Sequence, residues 1–337
     1  MRAVRFHGPH DLRLEDLPLP EPGVDEVRIL PEAVGLDGTD LHIMEGEFPS
    51  ARPVVLGHEV AGVVDAVGSE VRNVGEGDLV TVEPHRYCGE CRYCRLGREH
   101  LCRRKQAFGV HLNGGLAEAM VVPARIAYKL PRGVDARIGC LAEPVACCVH
   151  AMDRLAPVSG LTAVIFGAGP AGCILIRLAK LQGLSLILAV EPRASRREVA
   201  VHFGADETMD ATEEGWEEKA VELTGGHGFD FAVDAVGSPQ IVESAISLAA
   251  RGGRVLVFGV AKPEAVASIK PNEIFTKELS IVGTVINPYT HYRAVELLPS
   301  LGLGQLEIGQ YPLAATKKAL AALSRGEVGK VEITPQS

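Results

Sequence analysis

Leu161-Thr162-Ala163-Val164-Ile165-Phe166-Gly167-Ala168-Gly169-Pro170-Ala171-Gly172 is the stretch on which the fold turns. Its first six residues show no apolar/polar alternation, which predicts a strand buried on both faces, as in parallel sheets covered by helices. The next six read G-x-G-x-x-G, and C-I-L-I-R-L-A-K-L-Q-G (173–183) continues with helical spacing. The hexapeptide alone is weak evidence, but a buried strand before it and a helix after it are the context its chemistry needs. Gly167 permits a tight turn, Gly169 lets the backbone approach a pyrophosphate, and Gly172 allows close helix–sheet packing. A diphosphate would sit at the helix N-terminus, where free N–H groups and the helix dipole favour an anion.

Reading outward, L-S-L-I-L-A-V-E (184–191) is a second buried strand. F-D-F-A-V-D-A-V-G (229–237), a helix near 241–250, G-R-V-L-V-F-G-V (253–260) and L-S-I-V-G-T-V-I (279–286) repeat the rhythm. Alternating buried strands and helices imply an α/β, doubly wound parallel sheet. Glu191 lies nineteen residues after Gly172. A carboxylate there can accept hydrogen bonds from ribose hydroxyls and repels a 2′-phosphate, which favours NAD. Arg193, Arg196 and Arg197 follow it, and guanidinium groups can pair with a 2′-phosphate, so NADP stays possible. Val260 and Thr284, in the last two strand segments, complete the candidate cofactor-binding set of Gly167, Gly169, Pro170, Ala171, Gly172, Glu191 and Arg196.

Residues 1–147 differ in texture. V-R-I-L, V-A-G-V-V-D-A-V-G, D-L-V-T-V and A-M-V-V are short β-branched runs between Gly and Pro, which predict a compact β-rich domain. The expected division is 1–147, a nucleotide-binding domain over 148–285, and a return to the first domain over 286–337. Two domains suit 337 residues. A net charge of −9 without a basic block argues against nucleic acid. No apolar run reaches the ~18 residues of a membrane span, and the N-terminus does not read as a signal peptide.

Cys88, Cys91, Cys94 and Cys102 stand as C-x2-C-x2-C-x7-C, four thiols within fifteen residues. That spacing suits one tetrahedral Zn²⁺ with no open position, a structural site that would hold a polar lobe over about 84–105. Free thiols or disulfides are the alternative, and the absence of a secretory signal argues against the latter. Cys140, Cys147, Cys148 and Cys173 lie in apolar sequence and read as buried small hydrophobes in a reducing cytoplasm.

A third constellation comprises G-L-D-G-T-D-L-H (35–42), G-H-E (57–59) followed by V-A-G-V-V-D-A-V-G, and L-A-E-P-V-A-C-C-V-H (141–150). Each is ordinary alone. Together with R-N-V-G-E-G-D-L-V-T-V, the cysteine quartet and G-A-G-P-A-G, they make nearly the whole chain resemble the zinc-dependent medium-chain dehydrogenase/reductase (alcohol dehydrogenase) superfamily. E-P-V-A-C-C-V-H-A and I-N-P-Y-T-H resemble its polyol and sugar dehydrogenase branch. The resemblance implies a Rossmann domain inserted into a GroES-like catalytic domain, with the active site in the cleft between. It also implies a homodimer or homotetramer and hydride transfer between an alcohol carbon and NAD(P). One departure matters: the family places cysteine where this chain has Asp37.

Carried over by position, the catalytic zinc ligands would be Asp37, His58 and Glu59, with Glu143 additional or alternating, giving two zinc ions per chain. Carboxylate oxygen and imidazole nitrogen both suit Zn²⁺. The metal would lower the pKa of a bound alcohol, and Thr39 would pass its proton through the nicotinamide ribose toward His42. Glu59 and Glu143 complete the catalytic set. Two other readings stay open: a non-catalytic nucleotide-binding relative in which Asp37 marks a lost metal, and an NADPH-dependent ketone reductase.

Overall fold

The computed structural model describes all residues, Met1–Ser337. In chain order the elements are β1 (Arg2–Gly8), β2 (Asp11–Asp16), β3 (Glu26–Leu36), α1 (Gly38–Glu45), β4 (Val54–Val55), β5 (Glu59–Val67), β6 (Leu79–Val82), β7 (His85–Arg86) and α2 (Arg92–Arg95). Next come β8 (Gln106–Ala107), β9 (Met120–Pro123), β10 (Ala127–Lys129), α3 (Ala136–Gly139), α4 (Ala142–Leu155), β11 (Thr162–Phe166), α5 (Pro170–Leu181), β12 (Leu186–Val190) and α6 (Ala194–Phe203). Then follow β13 (Glu207–Met209), α7 (Trp216–Glu222), β14 (Phe229–Asp234), α8 (Pro239–Leu248), β15 (Ala249–Val257), α9 (Pro271–Lys277) and β16 (Ser280–Gly283). The chain ends with α10 (His291–Leu297), β17 (Ile308–Pro312), α11 (Thr316–Arg325) and β18 (Lys330–Thr334). These elements form two compact units, Met1–Ala146 with Pro288–Ser337, and Cys147–Asn287.

The second unit is the doubly wound sheet expected from the sequence. Its strands run β13-β12-β11-β14-β15-β16, and every neighbouring pair is parallel. Val164, Ile165 and Phe166 of β11 are buried because helices cover both faces, which is why their stretch lacks alternation. The order reverses between β11 and β14, so the carboxyl ends of these strands flank a topological switch point, where such folds bind ligands. The glycine stretch follows β11 at this point.

In the first unit a largely antiparallel sheet runs β10-β6-β5-β3-β18-β17, with β9 also paired to β3. Val27, Ile29, Val34, Leu36, Val60, Val64, Val80, Val331 and Ile333 turn inward to form its core. β18 pairs with β3, so the C-terminal segment completes the sheet begun at the N-terminus. This placement brings Lys330 and Glu332 into the interior.

Two cysteines depart from the sequence expectation. Cys140, Cys148 and Cys173 are buried, whereas Cys147 is half-exposed, because it shares the more open stripe of α4 with Pro144. Cys140 is not in an apolar pocket: its Sγ lies 3.2 Å from the Arg137 carbonyl and 3.5 Å from Glu332 Oε1. No helix is long and apolar enough to cross a membrane.

Candidate metal centre and cofactor loop

The β3–α1 junction presents Asp37. Its extended backbone (φ −138°) ends the strand and makes it the N-cap of α1. Asp37 Oδ1 accepts from the N–H groups of Thr39 (2.8 Å) and Asp40 (3.4 Å), while Asp40 Oδ2 accepts from Asp37 N–H (3.1 Å). This reciprocal capping box fixes the carboxylate at the helix start. Thr39 Oγ1 donates to Asp37 Oδ2 over 3.3 Å.

On the neighbouring strand, Gly57 turns the chain into β5 with φ +90°, a conformation that favours glycine. His58 follows, buried, with Nε2 3.6 Å from Asp37 Oδ1 and Nδ1 4.0 Å from Asp40 Oδ2. Asp40 thus faces the ring on the side away from Asp37 at more than hydrogen-bond distance, and His58 Nδ1 is buried without a hydrogen-bond partner. Glu59 opens β5 opposite Gly35. Donor atoms of Asp37, His58 and Glu59 all lie within 4.8 Å of one another.

Electrostatics at this cluster are strained by burial. Burial opposes ionisation of Asp37, but His58, the capping N–H groups and Lys330 outweigh it and hold its carboxyl below the usual range. Burial pushes Asp40 up to about 7. His58 is raised well above its ordinary value: burial opposes this, but Asp37, Asp40 and Glu143 prevail. Burial also raises Glu59, against the pull of Lys330. Carboxylates gathered round one imidazole make a donor set suited to a divalent cation, which would take the place of the imidazole proton.

Glu143, the second residue of α4, is buried, and its charge reaches His58, but it is not among the donors grouped within 4.8 Å. Thr39 and His42 lie three residues apart on α1, so they share a face. The half-exposed His42 ring places Nδ1 2.7 Å from Glu47 Oε2, which leaves Nε2 as its outward nitrogen.

The cysteine lobe is preorganised. Sγ–Sγ separations are 3.5 Å (Cys91–Cys94), 3.5 Å (Cys88–Cys102) and 3.8 Å (Cys88–Cys94). A tetrahedron with Zn–S of about 2.3 Å has edges of about 3.8 Å, so the four thiols fit one zinc ion. N–H groups of Glu90 and Cys91 help bring the Cys88 thiol down to about 6, toward the thiolate a metal needs.

In the second unit Gly167 turns with φ +93°, Gly169 caps α5, and Pro170 stands in its first turn. A Cβ at Gly172 would meet the Gly167 carbonyl at 1.9 Å, whereas one at Gly169 would meet nothing within 4 Å. The chain is thus closed beneath Gly172 and open at Gly169. Ala171 belongs to the same first turn. The buried Glu191 carboxylate accepts from Ala168 N–H (3.0 Å) and Arg193 N–H (3.1 Å), so it braces the glycine turn. Arg196 is half-buried, Val260 is 74% exposed, and Thr284 keeps a buried hydroxyl without a hydrogen-bond partner. Arg197 is occupied by the Glu191 and Pro192 carbonyls and by Asp210.

Sequence reasoning gave no role to Asp40 or Lys330. The D-x-x-D spacing of a capping box could have signalled the first. Nothing local signals the second, which ion-pairs with Glu59 from 271 residues away.

Known proteins are similar to this chain over nearly its whole length. The chain matches the alcohol dehydrogenase GroES-like domain over residues 23–132 and the zinc-binding dehydrogenase domain over residues 170–300. It is 32% identical to D-arabinitol dehydrogenase 1 of Uromyces fabae, covering 99% of this chain and 97% of that one. It is 35% identical to L-threonine 3-dehydrogenase of Pyrococcus abyssi, covering 94% and 93%. A solved zinc-binding dehydrogenase from Sinorhizobium meliloti 1021, bound to NADP, superposes with a TM-score of 0.93 at 34% identity, covering 99% of both chains. The chain belongs to the zinc-type medium-chain alcohol dehydrogenase family of NAD(P)-linked oxidoreductases.

Proposed function

We propose that this dehydrogenase oxidises a secondary alcohol of a polyol, sugar or cyclitol with NAD, using a catalytic zinc at Asp37, His58 and Glu59. The observation that carries the reading is the convergence of those three donors within 4.8 Å, although Asp37 stands where the family places cysteine. In this reading 1–147 with 286–337 bears the catalytic chemistry, 148–285 binds the cofactor, and the cysteine lobe holds a second, structural zinc.

When bound, zinc supplies Lewis acidity toward the substrate oxygen, and the nicotinamide accepts the hydride. The chain's own groups do the rest. The Asp40 carboxylate faces His58 Nδ1 from 4.0 Å and supplies negative charge behind the ring. Thr39 would accept the alcohol proton as its own hydroxyl proton turns from Asp37 toward the nicotinamide ribose, which would relay a proton to His42, where Glu47 anchors Nδ1 and leaves Nε2 to receive it. Glu143 serves as an additional or alternating ligand, or pairs with a further substrate hydroxyl. Such a pocket rejects substrates lacking that hydroxyl, because its polar groups would be left unpaired.

The relative named for D-arabinitol supports a polyol, and the one named for L-threonine keeps a hydroxy amino acid in view. A panel of pentitols, hexitols, aldoses, cyclitols and L-threonine, assayed with NAD on zinc-loaded protein, separates these classes. No turnover with any of them, in protein that still binds cofactor, would instead favour the non-catalytic reading. NADP is the second cofactor reading. Glu191 is engaged by two main-chain donors, and the Sinorhizobium relative carries NADP. Rates with the two cofactors at equal concentration decide it, and a strong NADP(H) preference would remove Glu191 as the selecting group. We also infer a homodimer or homotetramer, to be checked by light scattering, in a reducing cytoplasm.

A further inference from the structure

A cavity of about 490 Å³ lies in the first unit, and none of the residues lining it is a metal-cluster donor, a lobe cysteine or part of the glycine turn. Its walls are largely apolar, with Leu17, Val55, Phe108 and Met120 among them. The charged side chains in the lining are Arg5, Arg86 and Glu26, so cations outnumber anions. Glu26 is already engaged, since its Oε2 accepts from Gly23 N–H over 2.9 Å. Arg5 stands opposite Val55 where β1 pairs with β4. Its Nη1 is tied to Glu15 over 3.1 Å, but its Nε–H is buried and meets no acceptor on the chain. Buried donors are almost always paired, so this one calls for an acceptor. Arg86, on β7, is exposed and has no carboxylate within 4.0 Å.

Two guanidinium groups with free donors beside an apolar hollow match one class of ligand. We propose that this cavity binds a carboxylate carried on an apolar body, such as a medium-chain acid, with Arg5 and Arg86 as its charge partners. Guanidinium N–H donors suit a carboxylate, and the hydrocarbon chain is removed from water against Leu17, Phe108 and Met120. A small hydrophilic anion would forgo those apolar contacts. A neutral alcohol of the same length would keep them but bring no charge to the two arginines. The cavity's volume lies within the range of small-molecule sites. The site is separate from the proposed catalytic zinc and does not depend on it.

Octanoate, titrated by calorimetry into the zinc-loaded full-length protein with acetate and octanol alongside, tests this. Octanoate should bind with submillimolar affinity, and the other two about tenfold or more weaker. His58→Ala disturbs the metal cluster and should leave octanoate binding unchanged. Arg86→Met keeps an apolar stem at an exposed position but removes the charge, and it should weaken octanoate by about tenfold or more. Arg5→Met should do the same; should it not fold, Arg86→Met decides alone. Octanol binding as tightly as octanoate would mean an apolar hollow with no part for the arginines, and that overturns the proposal. Binding that survives Arg86→Met but vanishes in His58→Ala would place the carboxylate on the metal, and it overturns the proposal as well. No octanoate binding to the wild type has the same consequence.

Discussion

Asp37 has two jobs that substitution can separate. Its Oδ1 caps α1 through the N–H groups of Thr39 and Asp40, and its charge faces His58 in the candidate metal centre. Asp37→Asn keeps an acceptor for the cap, since asparagine and aspartate rank alike at N-caps, but removes the charge. Asp37→Ala removes both. The two variants lose the same interaction with His58, so their difference isolates the cap, worth about 1 kcal/mol. For a unit of this size that corresponds to roughly 2–4 °C in Tm. Asp37→Ala should therefore melt about that far below Asp37→Asn in metal-free protein. Metal binding should respond to the charge: losing even an outer-shell partner costs about 10–100-fold in affinity, so both variants should lose about a hundredfold or more. Calorimetric melts and chelator competition read the two effects independently. Tight second-site zinc and full turnover in Asp37→Asn would refute the ligand assignment, and coincident melts for the two variants would refute the cap.

Other outcomes follow from the same geometry. Burial pushes Glu83 up to about 7, although the Tyr87 and Tyr128 hydroxyls donate to it over 3.4 Å each. Its folded-state pKa is raised, so the stability it contributes is complete below its ordinary pKa of 4.5 and is lost as pH climbs through about 7. Glu83→Gln should flatten the fall in Tm between about pH 5 and pH 8, a term of up to about 3 kcal/mol; an unchanged profile would count against it. Cys88→Ser should release one zinc per chain and open the 84–105 lobe to limited proteolysis, while a lobe that keeps its metal would contradict the four-thiolate site. Gly172→Ala places a methyl 1.9 Å from the Gly167 carbonyl, so the glycine turn must open. NADH binding, followed by fluorescence, should weaken by about tenfold or more, and normal binding would mean the turn does not shape the site.

What could be read from the sequence was what the chain builds locally. The glycine turn, its flanking strand and its helix are consecutive, so periodicity and three glycines suffice to place them. The cysteine lobe is likewise written in short spacings, and its sulfur atoms lie as those spacings imply. Asp37 could be marked as a candidate ligand, but its capping role went unnoticed, although the D-x-x-D spacing states it. Glu191 lies one residue beyond β12, close to where the sequence sets it, yet its partners, the Ala168 and Arg193 N–H groups, come from the fold of the turn. Lys330 and Glu332 were invisible for a topological reason. The last strand enters the sheet beside β3, and only that pairing carries two charged residues into the interior next to Glu59 and Cys140. A local reading treats K-V-E-I-T as a strand with a wet face.

Zinc content per chain tests the central claim most directly, measured by elemental analysis on protein purified without chelator and washed free of loose ions. Two zinc ions in the wild type, falling to one in His58→Ala, is the predicted result. It would mean that the site at Asp37, His58 and Glu59 holds metal alongside the cysteine lobe. A single zinc in both proteins would contradict it, leaving the lobe filled and Asp37 a helix cap alone.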